Sequence, residues 1–262
     1  MEKAYFFSSP PASKDIPQDT ERMYFGNEFC EYLIPGEEAL IAALEASGSN
    51  DQPFTFVTAY AGDKILSGYT SLIKRISEIR PGSEVVINDW GVLKTVQKFG
   101  LEPVVGRLLV KQKRDPRIAK YIDNLPARFA EALKTARINE EMVAFYREEG
   151  IRRIEIDNLL QGIDYEELMR SGLSVTLHSP YGYIATGRIC SLRNSSGGYK
   201  HFSIGSCPGY CRKSQPQKLL SDKGDLGIII KGNTAYFFND EYSEALKYAQ
   251  PDRILIHKDF PL

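Results

Sequence analysis

Histidine is scarce in this 262-residue chain, which has three, and cysteine is nearly as scarce, with four. No H-E-x-x-H motif is present, so a zinc metallopeptidase has no ligand pair to build on. No G-x-G-x-x-G follows an apolar run, which removes the usual dinucleotide-binding fingerprint. Neither sign of charge dominates. Thirty-three basic against thirty-four acidic residues leave a net charge of −1, and no global field draws the protein to nucleic acid or to an anionic membrane. No stretch reaches the roughly 20 apolar residues of a membrane helix, and the opening MEKAYFFSSPPASKDIPQD has no apolar run long enough for a signal peptide. The expectation is a cytoplasmic chain with no membrane span, nucleic acid being disfavoured as a partner.

What is there is a strong alternation of apolar runs and amphipathic stretches. Residues 1–19 read as an irregular arm, rich in Pro and Ser from Ser8 to Asp19. Strands are expected at Glu21–Phe25, Phe54–Tyr60, Glu84–Asn88, Leu101–Val110, Arg152–Ile156 and Leu173–Leu177. Helices are expected at Gly36–Ala46, Asp63–Ile79, Val92–Phe99, after Asn139 as far as Gly150, and at Tyr165–Met169. Lys111–Ile138 is a long connection with a helical ARFAEALKTA portion. Past residue 211, strands are expected at Leu226–Ile230, Ala235–Phe238 and Ile254–His257, with a helix over Glu241–Ala249. Strand–helix alternation indicates parallel βαβ units. About eight strands over this length favour an α/β fold of TIM-like (β/α) barrel type, complete or irregular, with residues 1–262 as one domain.

The cysteines carry the chemistry. Cys190, Cys207 and Cys211 fall at C-x16-C-x3-C, and Cys30 lies 160 residues before Cys190. In a reducing compartment four cysteines argue for metal or redox chemistry over disulfides. Four thiolates suit a tetrahedral zinc or an iron–sulfur cluster, and four unrelated buried thiols are the plain alternative. Barrel logic favours convergence. Cys30 follows the first expected strand and the other three follow the strand ending at Leu177, which puts all four in loops at the C-terminal face.

Polar residues fall at the same strand ends: Asn88, Asp89, Arg107, Glu155, Asp157, His178 and Tyr181. As a group they make a polar, substrate-orienting pocket beside the cysteines, with Asn88, Asp89, Arg107, Glu155 and His178 as the catalytic candidates. Each has a plainer role. Asn88-Asp89 sits where a helix cap belongs, Arg107 and Glu155 could pair across neighbouring strands, and His178 could be a satisfied strand-end histidine.

The segments YFGNEFC, VTAY at Val57–Tyr60, VVINDWGVL at Val85–Leu93, GRLL at Gly106–Leu109 and the late Cys then Cys-x3-Cys resemble the collagenase-like peptidase family of unassigned catalytic type, the U32 family. The closest likeness is to its UbiV-like iron–sulfur members. The resemblance implies that Cys30, Cys190, Cys207 and Cys211 ligate a 4Fe–4S cluster, zinc being the alternative. It implies oxygen-independent hydroxylation of the kind used in ubiquinone biosynthesis, on a small aromatic or lipophilic substrate. It further implies a related U32-type subunit as heterodimer partner. The alternatives are a collagenase-like peptidase and a non-catalytic iron–sulfur partner subunit. The dense cysteine run and E-x-F-x-x-G-x-x-C pattern of the peptidases are absent, since ATGRI precedes Cys190.

Overall fold

A computed structural model describes residues 1–195, 203–222, 224–258 and 260–261. In chain order its strands are β1 (Glu2–Phe7), β2 (Arg22–Gly26), β3 (Phe54–Val57), β4 (Glu84–Ile87), β5 (Glu102–Val105), β6 (Arg153–Asp157), β7 (Ser174–Ser179), β8 (Tyr181–Thr186), β9 (Gln217–Ser221), β10 (Gly224–Lys231), β11 (Thr234–Phe238) and β12 (Arg253–His257). The α-helices are α1 (Glu37–Ser49), α2 (Asp63–Ile79), α3 (Trp90–Lys98), α4 (Ala127–Ala132), α5 (Glu140–Glu148), α6 (Tyr165–Ser171) and α7 (Tyr210–Lys213). Eight strands close into an all-parallel barrel in the order β1-β12-β7-β6-β5-β4-β3-β2. The expected TIM-like α/β barrel is the fold.

The strand period of two sorts the side chains. On β2, Met23 and Phe25 face the helices while Arg22 and Tyr24 point into the barrel. On β6, Ile154 and Ile156 pack outward, leaving Arg153, Glu155 and Asp157 inside. Outside, α2 supplies Tyr69, Leu72, Ile73 and Ile76 at helical spacing, all buried, and α3 supplies Val92, Leu93 and Val96. The inside is unusual for a barrel because much of it is charged. At the N-terminal end Arg253 donates to both oxygens of Glu84 (2.6 and 3.0 Å) and to Tyr24 Oη (2.6 Å), and it pairs with Glu2. Above that, Ala4, Phe6, Val57, Val86, Val104 and Leu255 form an apolar plug.

The structure departs from the sequence reading in four places. Residues 1–19 are not wholly an arm: Glu2–Phe7 is a barrel strand, held between β12 and β2. Two expected strands are shorter than expected, because β3 ends at Val57 and β5 at Val105. The expected helix over Glu241–Ala249 is only a 3-10 turn, Ala245–Lys247. Strand–helix alternation also stops after β7. Instead, β8, β11, β10 and β9 form, in that order, a four-stranded antiparallel sheet inserted between the last two barrel strands. This sheet lies over the C-terminal mouth, with the ring of Tyr236 edge-on to Phe29 (5.5 Å between centroids) just past β2.

Candidate cysteine site over the barrel mouth

Asn27 turns the chain as it leaves β2. Its Oδ1 accepts from the backbone N–H groups of Phe29 (3.2 Å) and Cys30 (2.9 Å), and Cys30 then opens a 3-10 turn, Glu31–Leu33. Cys190 lies four residues beyond β8, and Cys211 sits on α7. The late cysteines therefore lie in the β8–β9 connection of the covering sheet rather than directly after a barrel strand, which corrects the loop assignment while keeping the same end of the fold. Cys30, Cys190, Cys207 and Cys211 all line one narrow pocket, shared with Tyr32, Tyr60, Tyr210, Arg188, Arg193 and Gly232. The thiols are unpaired; Cys211 is buried and the other three half-buried. Leu33 and Leu192 pack beside Cys30 and Cys211 and keep one wall dry.

Several contacts hold the segments together. Glu31 is buried, and its carboxylate accepts from Arg188 Nη2 (3.0 Å), from the backbone N–H of Gly62 (3.2 Å) and from Tyr60 Oη (3.5 Å). That one side chain ties the Cys30 loop to the Cys190 loop and to the loop after β3. Asn233 Nδ2 donates to the carbonyls of Phe29 (2.7 Å) and Gly187 (2.8 Å), fixing the β10–β11 turn beside Cys30. Arg193 donates to the carbonyls of Ser203 and Ser206, and Asn194 donates to those of Cys190 and Ser203, which carries the chain back toward Cys207. Gly232 adopts φ +66, and a Cβ there would lie 3.2 Å from the Cβ of Cys211, so the turn needs glycine twice over. Burial pushes the thiol of Cys30 up to about 11 and raises that of Cys211.

Beneath the pocket, the strand-end residues form a buried network. Arg107 is wholly enclosed and donates to both oxygens of Glu28 (2.6 and 2.7 Å), to Asp157 Oδ1 (2.6 Å) and to the Tyr181 carbonyl (2.7 Å). Arg114 pairs with the other oxygen of Asp157, and its guanidinium stacks 4.3 Å from the Tyr183 ring centroid. Burial alone would raise the Asp157 carboxyl, but the guanidinium groups of Arg107 and Arg114 outweigh it and hold the group below its usual range. The expected Arg107–Glu155 pair does not form. Val105 stands level with Ile154, so Arg107, two residues on, falls level with Ile156, between Glu155 and Asp157, and its guanidinium extends to Asp157.

Glu155 faces His178 instead (3.1 Å), and His178 Nδ1 meets His257 Nε2 at 2.9 Å. Burial pushes Glu155 up to about 8 and lowers His178 to about 3; His257 also falls well below the usual value. A neutral chain satisfies these directions: protonated Glu155 donates to His178 Nε2, and His178 Nδ1–H donates to His257. Among the described residues two buried atoms of these three side chains are left without partners, Glu155 Oε1 and His257 Nδ1.

Of the other candidates, Asn88 donates to the Thr58 carbonyl (2.8 Å) and accepts from the Leu108 N–H (3.2 Å). Asp89 caps α3 by accepting from Gly91 N (2.8 Å). None of Asn88, Asp89, Arg107, Glu155 and His178 lines the cysteine pocket. The open polar pocket read from the sequence is thus, among the described residues, a sealed support beneath the thiols. His201 lies outside the described residues.

Sequence reasoning passed over Glu28 and Glu31. The signal was present, because an acid sits on each side of the FC pair in an otherwise apolar strand end.

No family model matches the chain, and no curated protein matches it. Among solved structures the chain is similar to the U32 peptidase Mk0906, at a TM-score of 0.52 and 11% identity over 99% of this chain and 93% of that one. At that identity the likeness is one of fold. Two further similarities are to dihydropteroate synthase from Thermus thermophilus (TM-score 0.32, 13% identity, 61% of each chain) and to type I 3-dehydroquinate dehydratase from Clostridium difficile (TM-score 0.34, 11% identity, 73% of this chain and 79% of that one). No described helix is long and apolar enough to cross a membrane.

Proposed function

We propose that the chain is a U32-type protein that holds a 4Fe–4S cluster on Cys30, Cys190, Cys207 and Cys211 and supports oxygen-independent hydroxylation of a small aromatic or lipophilic substrate. The observation that carries the reading is convergence: a thiol from the start of the chain and three from its last third line one pocket. Whole-length likeness to a protein described as a U32 peptidase agrees with it.

The donor set fits the group. A tetrahedral zinc with Zn–S near about 2.3 Å draws its thiolates to within roughly 4 Å of one another. Among the described residues the one trio of metal-binding side chains with all ligand atoms within 4.8 Å of each other is Glu28, Glu155 and His178. No three of the four thiols lie mutually within 4.8 Å, which leaves room for a cluster that gives each thiolate its own iron. When bound, the cluster supplies one-electron transfer. The chain's own part is to hold it through four thiolates, to keep one wall dry with Leu33 and Leu192, and to set Arg188 and Arg193 beside it. Positive charge there favours the reduced, more anionic state. Tyr32, Tyr60 and Tyr210 give the pocket the aromatic lining an aromatic substrate would pack against. A cytoplasmic location and a related U32-type subunit as partner belong to this proposal, and such a subunit would co-purify at about one to one.

The peptidase reading has less support. A nucleophilic cysteine needs a base and a lowered pKa, yet no described histidine lines the pocket, and Cys30 and Cys211 are shifted upward.

The test is anaerobic purification followed by iron, zinc and acid-labile sulfide analysis with electron paramagnetic resonance. About four irons and four sulfides per chain, with a cluster signal on reduction, are expected. Stoichiometric zinc without iron would refute the proposal.

A further inference from the structure

A second cleft opens at the barrel mouth, apart from the cysteines. It measures ≈ 500 Å³ and is lined by Ser8 and Ser9 after β1, Lys258 and Phe260 after β12, Lys231 on β10, Tyr181 on β8, and Arg212 to Pro216 at and beyond the end of α7. Eleven described residues form this lining. Four of them, Arg212, Lys213, Lys231 and Lys258, are cations and none is an acid. In a chain with 33 basic and 34 acidic residues of 262, such a lining should carry one or two of each sign. The imbalance is local.

Among the described residues the cations are also without an ion-pair partner. No described carboxylate comes within 4.0 Å of any of the four, although eighteen pairs of Lys or Arg with a carboxylate occur elsewhere. Lys258 donates only to the Asp15 carbonyl at 3.4 Å, and Lys231 sits over the Phe260 ring at 5.4 Å. Phe260 stacks on Tyr181 at 4.2 Å between centroids, which makes one wall aromatic.

We propose that this cleft binds a small phosphate monoester carrying an apolar or aromatic group. Four positive charges with no acid among them favour a dianion. The hydroxyls of Ser8 and Ser9 add donors for the terminal oxygens of a phosphate, that of Ser214 being given to the Cys211 carbonyl (3.2 Å). The size lies in the range of small-molecule sites. The position also agrees, because the cleft uses the loops after the last and first barrel strands, at the C-terminal face where barrels place phosphate groups. The inference stands apart from the cluster proposal. Arg212 and Lys231 are chain neighbours of Cys211 and Gly232, but Lys213, Lys258, Ser8 and Phe260 do not line the cysteine pocket.

The test is isothermal titration of the full chain with phenyl phosphate, inorganic phosphate, phenylacetate and a single-stranded 12-mer RNA at fixed ionic strength. Phenyl phosphate is expected to bind at least tenfold tighter than inorganic phosphate or phenylacetate. Replacing Lys213→Gln with Lys258→Gln should weaken it at least tenfold while thermal stability and iron content stay unchanged. Both side chains are exposed, so the folded chain persists. The proposal is overturned if phenyl phosphate fails to bind, if the double substitution leaves its affinity intact, or if the RNA alone binds through these lysines. Absence of iron from the anaerobically purified chain, with phenyl phosphate binding intact, would sink the cluster and leave the cleft standing.

Discussion

Arg107→Met removes the centre of the buried network and offers the sharpest test of how the cysteine site is held. The guanidinium makes four hydrogen bonds: two to Glu28, one to Asp157 and one to the Tyr181 carbonyl. It also lies 5.2 Å from the Phe29 ring centroid and 5.7 Å from that of Tyr183. Methionine fills much of the volume and none of the bonds. Asp157 keeps Arg114 and the Tyr183 N–H, so the loss falls on Glu28, a fully buried carboxylate whose two oxygens were both paired with Arg107. Orphaning one member of a buried pair costs about 3–5 kcal/mol. Adding Glu28→Gln exchanges the stranded charge for an amide whose unmet hydrogen bonds cost about 1–3 kcal/mol. The double variant should therefore be less destabilised than the two singles summed, by about 1–3 kcal/mol of coupling. Urea titration of all four proteins gives the cycle. Glu28 is two residues before Cys30, so iron retention should fall in Arg107→Met even where circular dichroism shows a folded barrel. Strict additivity, or a single-variant cost below about 1 kcal/mol, would show that Arg107 does not hold this end of the fold.

Each of Cys30→Ser, Cys190→Ser, Cys207→Ser and Cys211→Ser should lower iron and sulfide content, whereas a nucleophile would make one cysteine matter and leave three dispensable. Gly232→Ala should cost about 1–2 kcal/mol and also loosen iron, because the new Cβ meets Cys211; Gly150→Ala, at φ +73 with nothing within 4 Å, should cost stability alone, as thermal melts with metal analysis would show. Glu155→Gln tests the neutral chain of Glu155, His178 and His257. A carboxyl raised to about 8 in the folded state stays protonated while the unfolded one ionises, so it lowers stability as pH rises from about 4.3 toward 8. The amide should flatten that decline by up to about 1.4 kcal/mol per pH unit, read from urea midpoints across pH 5–8, and an unchanged slope would mean that Glu155 is ionised in the fold.

What the sequence disclosed followed from local chemistry. The strand period on RIEID and the helical spacing of Tyr69, Leu72, Ile73 and Ile76 are local patterns, and they sufficed for a parallel barrel and for the end of it on which Cys30 must lie. Asp89 as a cap was equally local. The failures are non-local or masked by composition. EKAYFF reads as a fraying terminus beside a Pro-rich stretch, and only its place between β12 and β2 makes it a strand. Of the covering sheet, β10 and β11 were legible as apolar runs, but β8 was not read and β9, QKLLS, is exposed along its whole length and shows no buried face to read.

The partner of Arg107 depended on where two strands sit level with each other, which no spacing along the chain encodes. Adjacency of β5 and β6 was enough to suggest Glu155. A register that sets Val105 beside Ile154 leaves Arg107 level with Ile156, between the two acids, and the guanidinium extends past Glu155 to Asp157. That shift has a consequence for the site. It leaves Glu155 to the histidines in a neutral layer and sets the charged layer above it, in contact with Glu28 and so with the loop that bears Cys30. The ionised groups stand where they brace the thiols, and the uncharged ones fill the depth of the barrel, where an unpaired ion would cost most.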